Sequence, residues 1–191
     1  MKKRLALVLA AMMAAGSIGT VSFAEEAVTE LNWSDVEEAV EKSGIKGDFV
    51  TLDEVAVQIW LPDTLKEVEL TDEDREEGFI AYYETDEDAE EKAAVSVVYV
   101  DLDGMELEEY AKQLADTDGV SEIEMGVVNG LPCVSYEMDE QDSGSVTFMT
   151  EAGYALEITC APVSTEEAEA IVAYIVCSIR AAEEEEAATE A

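Results

Sequence analysis

The sequence predicts an α+β protein in which helices pack on one twisted antiparallel sheet, and three observations carry that prediction. Short runs of alternating apolar residues recur between turn signals, a few amphipathic helical stretches interrupt them, and the last such stretch follows four consecutive strand-like runs. Apolar residues make up 48% of the 191, enough to build a core beneath a heavily charged surface rather than a disordered chain.

The chain opens with Lys2, Lys3 and Arg4, an apolar run over residues 5–15, and the small-residue exit Ser22-Phe23-Ala24. That is the pattern of an export signal cleaved between Ala24 and Glu25, and it implies a secreted or extracellular protein. A membrane anchor is the competing reading, because residues 5–24 approach the roughly 20 apolar residues that span a bilayer. Gly16, Ser17, Gly19 and Thr20 break the run and favour processing. No cysteine follows the run to carry a lipid, and no membrane association is expected after cleavage. Removing 24 of the 191 residues leaves 167, the size of one domain.

Residues 25–32 read as a polar lead-in. Ser34-Asp35-Val36-Glu37 has the spacing of a capping box, and Gly44 closes a short helix over residues 34–43. From Phe49 the period changes to two: Val55, Val57, Ile59 and Leu61 alternate with Glu54, Ala56, Gln58 and Trp60, and Pro62 ends the strand. Residues 71–77 form an acidic turn or a single helical turn, and the runs 79–84 and 94–102 make a hairpin around a charged loop. Tyr82 and Tyr83 are adjacent on that strand and so point to opposite faces.

Asp103-Gly104 leads a helix over residues 106–115 whose Leu107, Tyr110, Ala111 and Leu114 share one face. A meander follows: 120–128, 131–138, 145–150 and 154–160, with Asn129-Gly130 as a two-residue hairpin turn. Pro162 breaks it. Ser164-Thr165-Glu166-Glu167 reads as a second capping box, and Ala168, Ile171, Val172, Ile175 and Ile179 form the buried stripe of the last helix. Residues 181–191 are an acidic tail with nothing to bury.

Charge sets the functional exclusions. Asp and Glu number 47 against 10 Lys and Arg, and since Lys2, Lys3 and Arg4 fall in the leader, seven cations remain, a net charge of −40 over residues 25–191. Such a surface repels nucleic acid and anionic lipid. The absence of histidine removes the histidine-based triad and the commonest metal ligand. Paired carboxylates remain available for hydrolysis, but among 47 acids a pair at a suitable distance carries no information. Calcium fits better, because hard cations take oxygen ligands. Yet Gly104 at the sixth place of a calcium loop puts Tyr99 and Tyr110 where acids are needed, and residues 72–77 and 86–91 lack the glycine. Weak, diffuse cation binding follows from charge alone, and no cofactor or defined metal site is assigned. Trp60, Tyr82 and Tyr83 are the aromatics that could line a ligand groove, with packing the simpler role.

Cys133, Cys160 and Cys177 lack the even count and close spacing of a disulfide framework. The meander puts Cys133 and Cys160 at opposite ends of the sheet, roughly 20 Å apart at about 3.4 Å per residue. A helix running back from Thr165 carries Cys177 about 18 Å toward the other end. If a disulfide forms, it joins Cys133 to Cys177.

The strand ending Ile59-Trp60-Leu61-Pro62, the helix Leu107-Glu108-Glu109-Tyr110-Ala111, the turn Asn129-Gly130-Leu131-Pro132 and the helix end Cys177-Ser178-Ile179 resemble the PsbP-like superfamily. The match covers most of residues 48–180, with residues 25–47 and the tail outside it. The resemblance implies a PsbP-like α+β fold and a non-catalytic binding or assembly module. Joined to the charge, it predicts an unknown protein or cationic ligand as partner. An extracellular divalent-cation-binding protein is the alternative, and a small two-carboxylate hydrolase the third reading. Crowded carboxylates also predict a fold that gains stability as salt screens them.

Overall fold

The computed structural model describes residues 20–23, 26–150 and 155–182. The predicted cleavage pair Ala24 and Glu25, the apolar run of the leader, and residues 183–191 of the tail lie outside the described residues. Along the chain come β1 (Thr20–Phe23), β2 (Glu26–Leu31), α1 (Trp33–Ser43), β3 (Gly47–Leu52), β4 (Val57–Pro62), β5 (Leu65–Glu67), α2 (Asp72–Glu76), β6 (Phe79–Thr85) and β7 (Ala94–Tyr99). Then follow α3 (Leu107–Ala115), β8 (Val120–Val128), β9 (Leu131–Met138), β10 (Ser143–Met149), β11 (Ala155–Ala161), α4 (Glu166–Ser178) and β12 (Arg180–Ala181). No described helix is long and apolar enough to cross a membrane.

Nine strands form the main sheet in the order β1-β2-β8-β9-β10-β11-β7-β6-β5, and β12-β4-β3 form a smaller one. Every neighbouring pair is antiparallel except β2 with β8. The predicted meander is present, and Asn129 and Gly130, at φ of 46° and 83°, make the tight left-handed turn that joins β8 to β9.

One face of the main sheet builds the principal core. Val95, Val97, Val146, Phe148, Leu156, Ile158 and Cys160 project from it into a core closed by α4 and by Val57, Ile59 and Leu61 of the smaller sheet. Helix α4 is buried on more than its predicted stripe, with Ala173, Cys177 and Ser178 also enclosed. It is wedged between the main sheet, β4 and α1.

Several boundaries differ from the sequence reading for identifiable reasons. The lead-in forms β2, which pairs with Gly126–Val128 through backbone bonds that no side-chain pattern announces. The single strand expected at 55–61 is a hairpin: it begins at Val57 and pairs with β3, and residues between Leu52 and Val57 turn, with Ala56 at a φ of 51°. Helix α1 starts at Trp33 rather than Ser34, and its capping pair is Asn32 with Asp35, whose carboxylate accepts from the Asn32 N–H at 2.8 Å. Trp33 enters the first turn because its ring docks edge-on to Phe49 at 5.1 Å and against Trp60 at 6.0 Å. On α4 the cap is Thr165, whose hydroxyl accepts from the Ala168 N–H, because Ser164 Oγ is already donating to Asp142 Oδ2 at 2.6 Å. The ordered chain also runs past the expected start of the tail, since Ala181 pairs with Val57 in β12.

Asn129 does more than turn the chain. Its Oδ1 accepts from the Trp33 N–H at 3.0 Å, and its Nδ2 donates to the Cys177 and Ile179 carbonyls at 2.7 Å each. Beside it, Ser178 Oγ accepts from the Trp60 N–H at 2.7 Å and so ties α4 to β4.

Replacing Asn129 by glycine keeps the turn conformation but orphans these groups, and at about 1 kcal/mol per bond it should cost about 2–3 kcal/mol in a urea melt. Asn129→Asp, which faces two carbonyls with a carboxylate, should cost at least as much; a wild-type midpoint for either removes Asn129 from this role. A Cβ at Gly47 would lie 2.3 Å from the Leu61 carbonyl and 2.5 Å from the Trp60 ring. Gly47→Ala is therefore expected to destabilise by about 1–3 kcal/mol, read by the same melt.

Candidate functional site

The second face of the main sheet is chemically unlike the first. Register places Tyr136, Ser145, Thr159, Ser96 and Tyr82 in one row across β9, β10, β11, β7 and β6. The next row holds Val134, Thr147, Glu157, Val98 and Phe79. Helix α3 packs over β8 and β9, where Leu107 and Leu114 meet Val134 and Tyr136 in a second, smaller core. Exposure then rises away from the helix: Ser145 and Thr147 are 1% and 0% exposed, whereas Thr159, Ser96, Val98, Phe79 and Tyr82 are half-buried.

Glu157 is the carboxylate at the centre of this face. Tyr136 donates a short hydrogen bond to its Oε2, Thr147 donates to the same oxygen at 3.0 Å, and Thr159 reaches Oε1 at 3.4 Å. Ser145 and Thr159 share a further hydroxyl bond of 2.8 Å. Burial first, then the Glu157 charge, raises the Tyr136 phenol well above its ordinary value, and the same two causes raise Tyr110 on α3. A carboxylate supplied with three hydroxyl donors has its hydrogen-bonding needs met within the protein. The sequence shows Glu157 only as a polar residue on a strand, because its partners come from other strands.

At the open end of this face lies a cleft of about 560 Å³ lined by Tyr82, Glu84, Glu87, Lys92, Asp142 and Pro162 among others. Burial and then the adjacent Glu84 raise the Tyr82 phenol. Lys92, exposed at the cleft, donates to the Asp86 carbonyl at 2.8 Å.

Of the other aromatics weighed from the sequence, Trp60 is 3% exposed and packs on Trp33 and Tyr174, and Tyr83 is 4% exposed in the main core. Both are packing residues; Tyr82 alone of the three reaches a cleft. The acidic loops are used locally. Asp74 and Thr71 cap α2 reciprocally, and Asp101 accepts from the Asp103 N–H at 2.9 Å. Among the described residues no three Cys, Asp or Glu side chains are arranged to hold a metal ion. Glu124 is raised above its ordinary value, by burial first and then by Glu122.

Cys133, Cys160 and Cys177 are buried thiols, none in a disulfide. Cys133 and Cys177, the pair singled out if a bridge forms, line one apolar cavity of about 30 Å³ between α4 and the sheet. Burial pushes all three thiols from 9.0 up to about 12.

These features define an α+β protein with one core-forming sheet face and one half-covered, hydroxyl-rich face. No family model matches the chain, and no curated protein matches it. Among solved structures the chain is similar to the Ran-binding protein Mog1p of Saccharomyces cerevisiae, at 13% identity over 72% of this chain and 96% of that one, with a TM-score of 0.42.

The thiols give a pH prediction. An acid whose pKa is raised by folding contributes stability that is complete below its unfolded value and is lost as pH climbs through the folded one. The urea midpoint should therefore fall between pH 9.0 and about 12, with Tyr83, raised from 10.0 to about 12, adding to the upper part. Cys160→Ala should make that fall shallower. At neutral pH a thiol-specific reagent should label none of the three in the native state and all three in urea; a single labelled thiol in urea would instead reveal a bridge.

Proposed function

We propose that this chain is an exported, non-catalytic binding module whose partner is cationic. The observation that carries the reading is the pairing of 47 acids with 10 cations and no histidine on a chain whose central carboxylate, Glu157, is held by three hydroxyls rather than set against a second acid. A carboxylate so satisfied serves the fold, whereas the two-carboxylate hydrolysis weighed above needs two carboxyls driven apart in pKa around one cleft. The sequence resemblance to the PsbP-like superfamily points to the same class. A surface of this charge attracts basic protein segments, steers their approach and loses its hold as salt rises. Export rests on the basic start, the apolar run and the Ala24-Glu25 exit. Cleavage there would also release β1, leaving β2 at the sheet edge.

Calorimetric titration with a deca-lysine peptide tests this reading, with calcium and magnesium as controls. Saturable peptide binding that weakens at least tenfold as salt rises from about 0.05 to about 0.3 M is expected, with small, equal heats from the two ions. Stoichiometric calcium uptake without peptide binding would favour the cation-binding alternative. The melting temperature should also rise with salt over the same range as carboxylate repulsion is screened, and a flat response would show that this repulsion is negligible.

A further inference from the structure

We propose that the part of the second sheet face left open by α3, across β6, β7 and β11, is the docking surface for a lysine- and arginine-rich segment of a partner protein. This rests on the functional reading above and adds the place and the contacts. Three observations converge on it. The first is coverage: α3 lies over β8 and β9, α2 touches β6, and Ser96, Val98, Thr159 and Tyr82 are only half-buried. A sheet face of this size stays open only if polar, and here it is not uniformly so, because register puts Phe79 and Val98 beside Ser96 and Tyr82.

The second observation is shape. The face ends in the 560 Å³ cleft, with the Tyr82 side chain in its lining, so an approaching side chain finds a concavity rather than a flat sheet. The third is charge. Glu84 and Glu87 in the cleft lining are exposed, and the nearby Lys92 is tethered to the Asp86 carbonyl. Asp142 is held by Ser164 and contributes its charge from a fixed position. A guanidinium or ammonium entering the cleft would meet an aromatic face and two exposed carboxylates, one of which, Glu84, already engages the Tyr82 phenol, a combination that suits a cation on a flexible apolar stem. A second copy of the chain is a poor occupant, because each copy carries a net charge of −37.

The test uses the full chain, the deca-lysine peptide and three variants. Tyr82→Ser and the double reversal E84K/E87K alter the proposed surface. The reversal E73K/E76K makes the same change in net charge on α2, whose exposed acids lie outside the cleft. E84K/E87K is expected to weaken peptide binding by about tenfold or more and Tyr82→Ser by about fivefold, with E73K/E76K within about twofold of wild type. Carbodiimide cross-linking of the peptide to the unmodified protein should join it to Glu84 or Glu87, which keeps the test valid if a variant folds poorly. Equal losses from both double reversals, with cross-links scattered over the acidic surface, would overturn the docking surface while leaving a cationic partner intact. Absence of wild-type binding would overturn the functional reading itself. Peptide displacement by stoichiometric calcium, or self-association lost in the cleft variants, would replace the proposed occupant by a metal ion or a second copy.

Discussion

Two helix ends have to be buried for this fold to close, and one side chain makes that tolerable. The first N–H groups of a helix and its last carbonyls have no intrahelical partner, and hiding one from water without a partner costs about 1–3 kcal/mol. Helix α1 begins and α4 ends at the same place, beside the β8–β9 turn. There Asn129 accepts from the Trp33 N–H and donates to the Cys177 and Ile179 carbonyls. An amide accepts at its oxygen while donating two hydrogens from its nitrogen, and asparagine also tolerates the left-handed backbone of the turn. Once α4 is anchored, its Ser178 fixes β4 through Trp60, and the smaller sheet can close the main core.

This junction brings together three of the four short sequence motifs. The strand end at Trp60, the Asn129-Gly130 turn and the helix end Cys177-Ser178-Ile179 are far apart in sequence but meet through hydrogen bonds at one point. The fourth, around Tyr110, lies on the other side of the sheet, where it packs in the smaller core. The aromatic cluster of Trp33, Phe49, Trp60 and Tyr174 closes the outer side of the small sheet, with the Arg180 guanidinium 3.9 Å from the Phe49 ring.

The sheet strands of the meander, the hairpin of β6 with β7, and both longer C-terminal helices were legible because their apolar periods are strong and their turns carry Gly, Asn or Pro. Three things were not. β2 pairs through its backbone, so the polar composition around Glu30 hid it. The turn between β3 and β4 contains no glycine, proline or asparagine, and Ala56 adopts its left-handed conformation without a local signal. The polar face was visible only as alternation: Glu157 and Thr159 stand opposite Ile158 and Cys160 in the sequence, but the convergence of Tyr136, Thr147 and Thr159 on Glu157 depends on three strands. Side-chain chemistry that arises from register cannot be read from one strand at a time.

The account assigns opposite duties to the two faces of one sheet. One buries Val97, Phe148, Leu156 and Ile158 and holds the molecule together; the other grades from the Glu157 network under α3 to the open cleft at Tyr82. Paramagnetic broadening of amide resonances by a spin-labelled lysine peptide tests that division directly. The account predicts broadening centred on Tyr82, Ser96 and Thr159, with α1 and β3 spared. Broadening spread evenly over the acidic surface, including α2 and the first turn of α4, would contradict it.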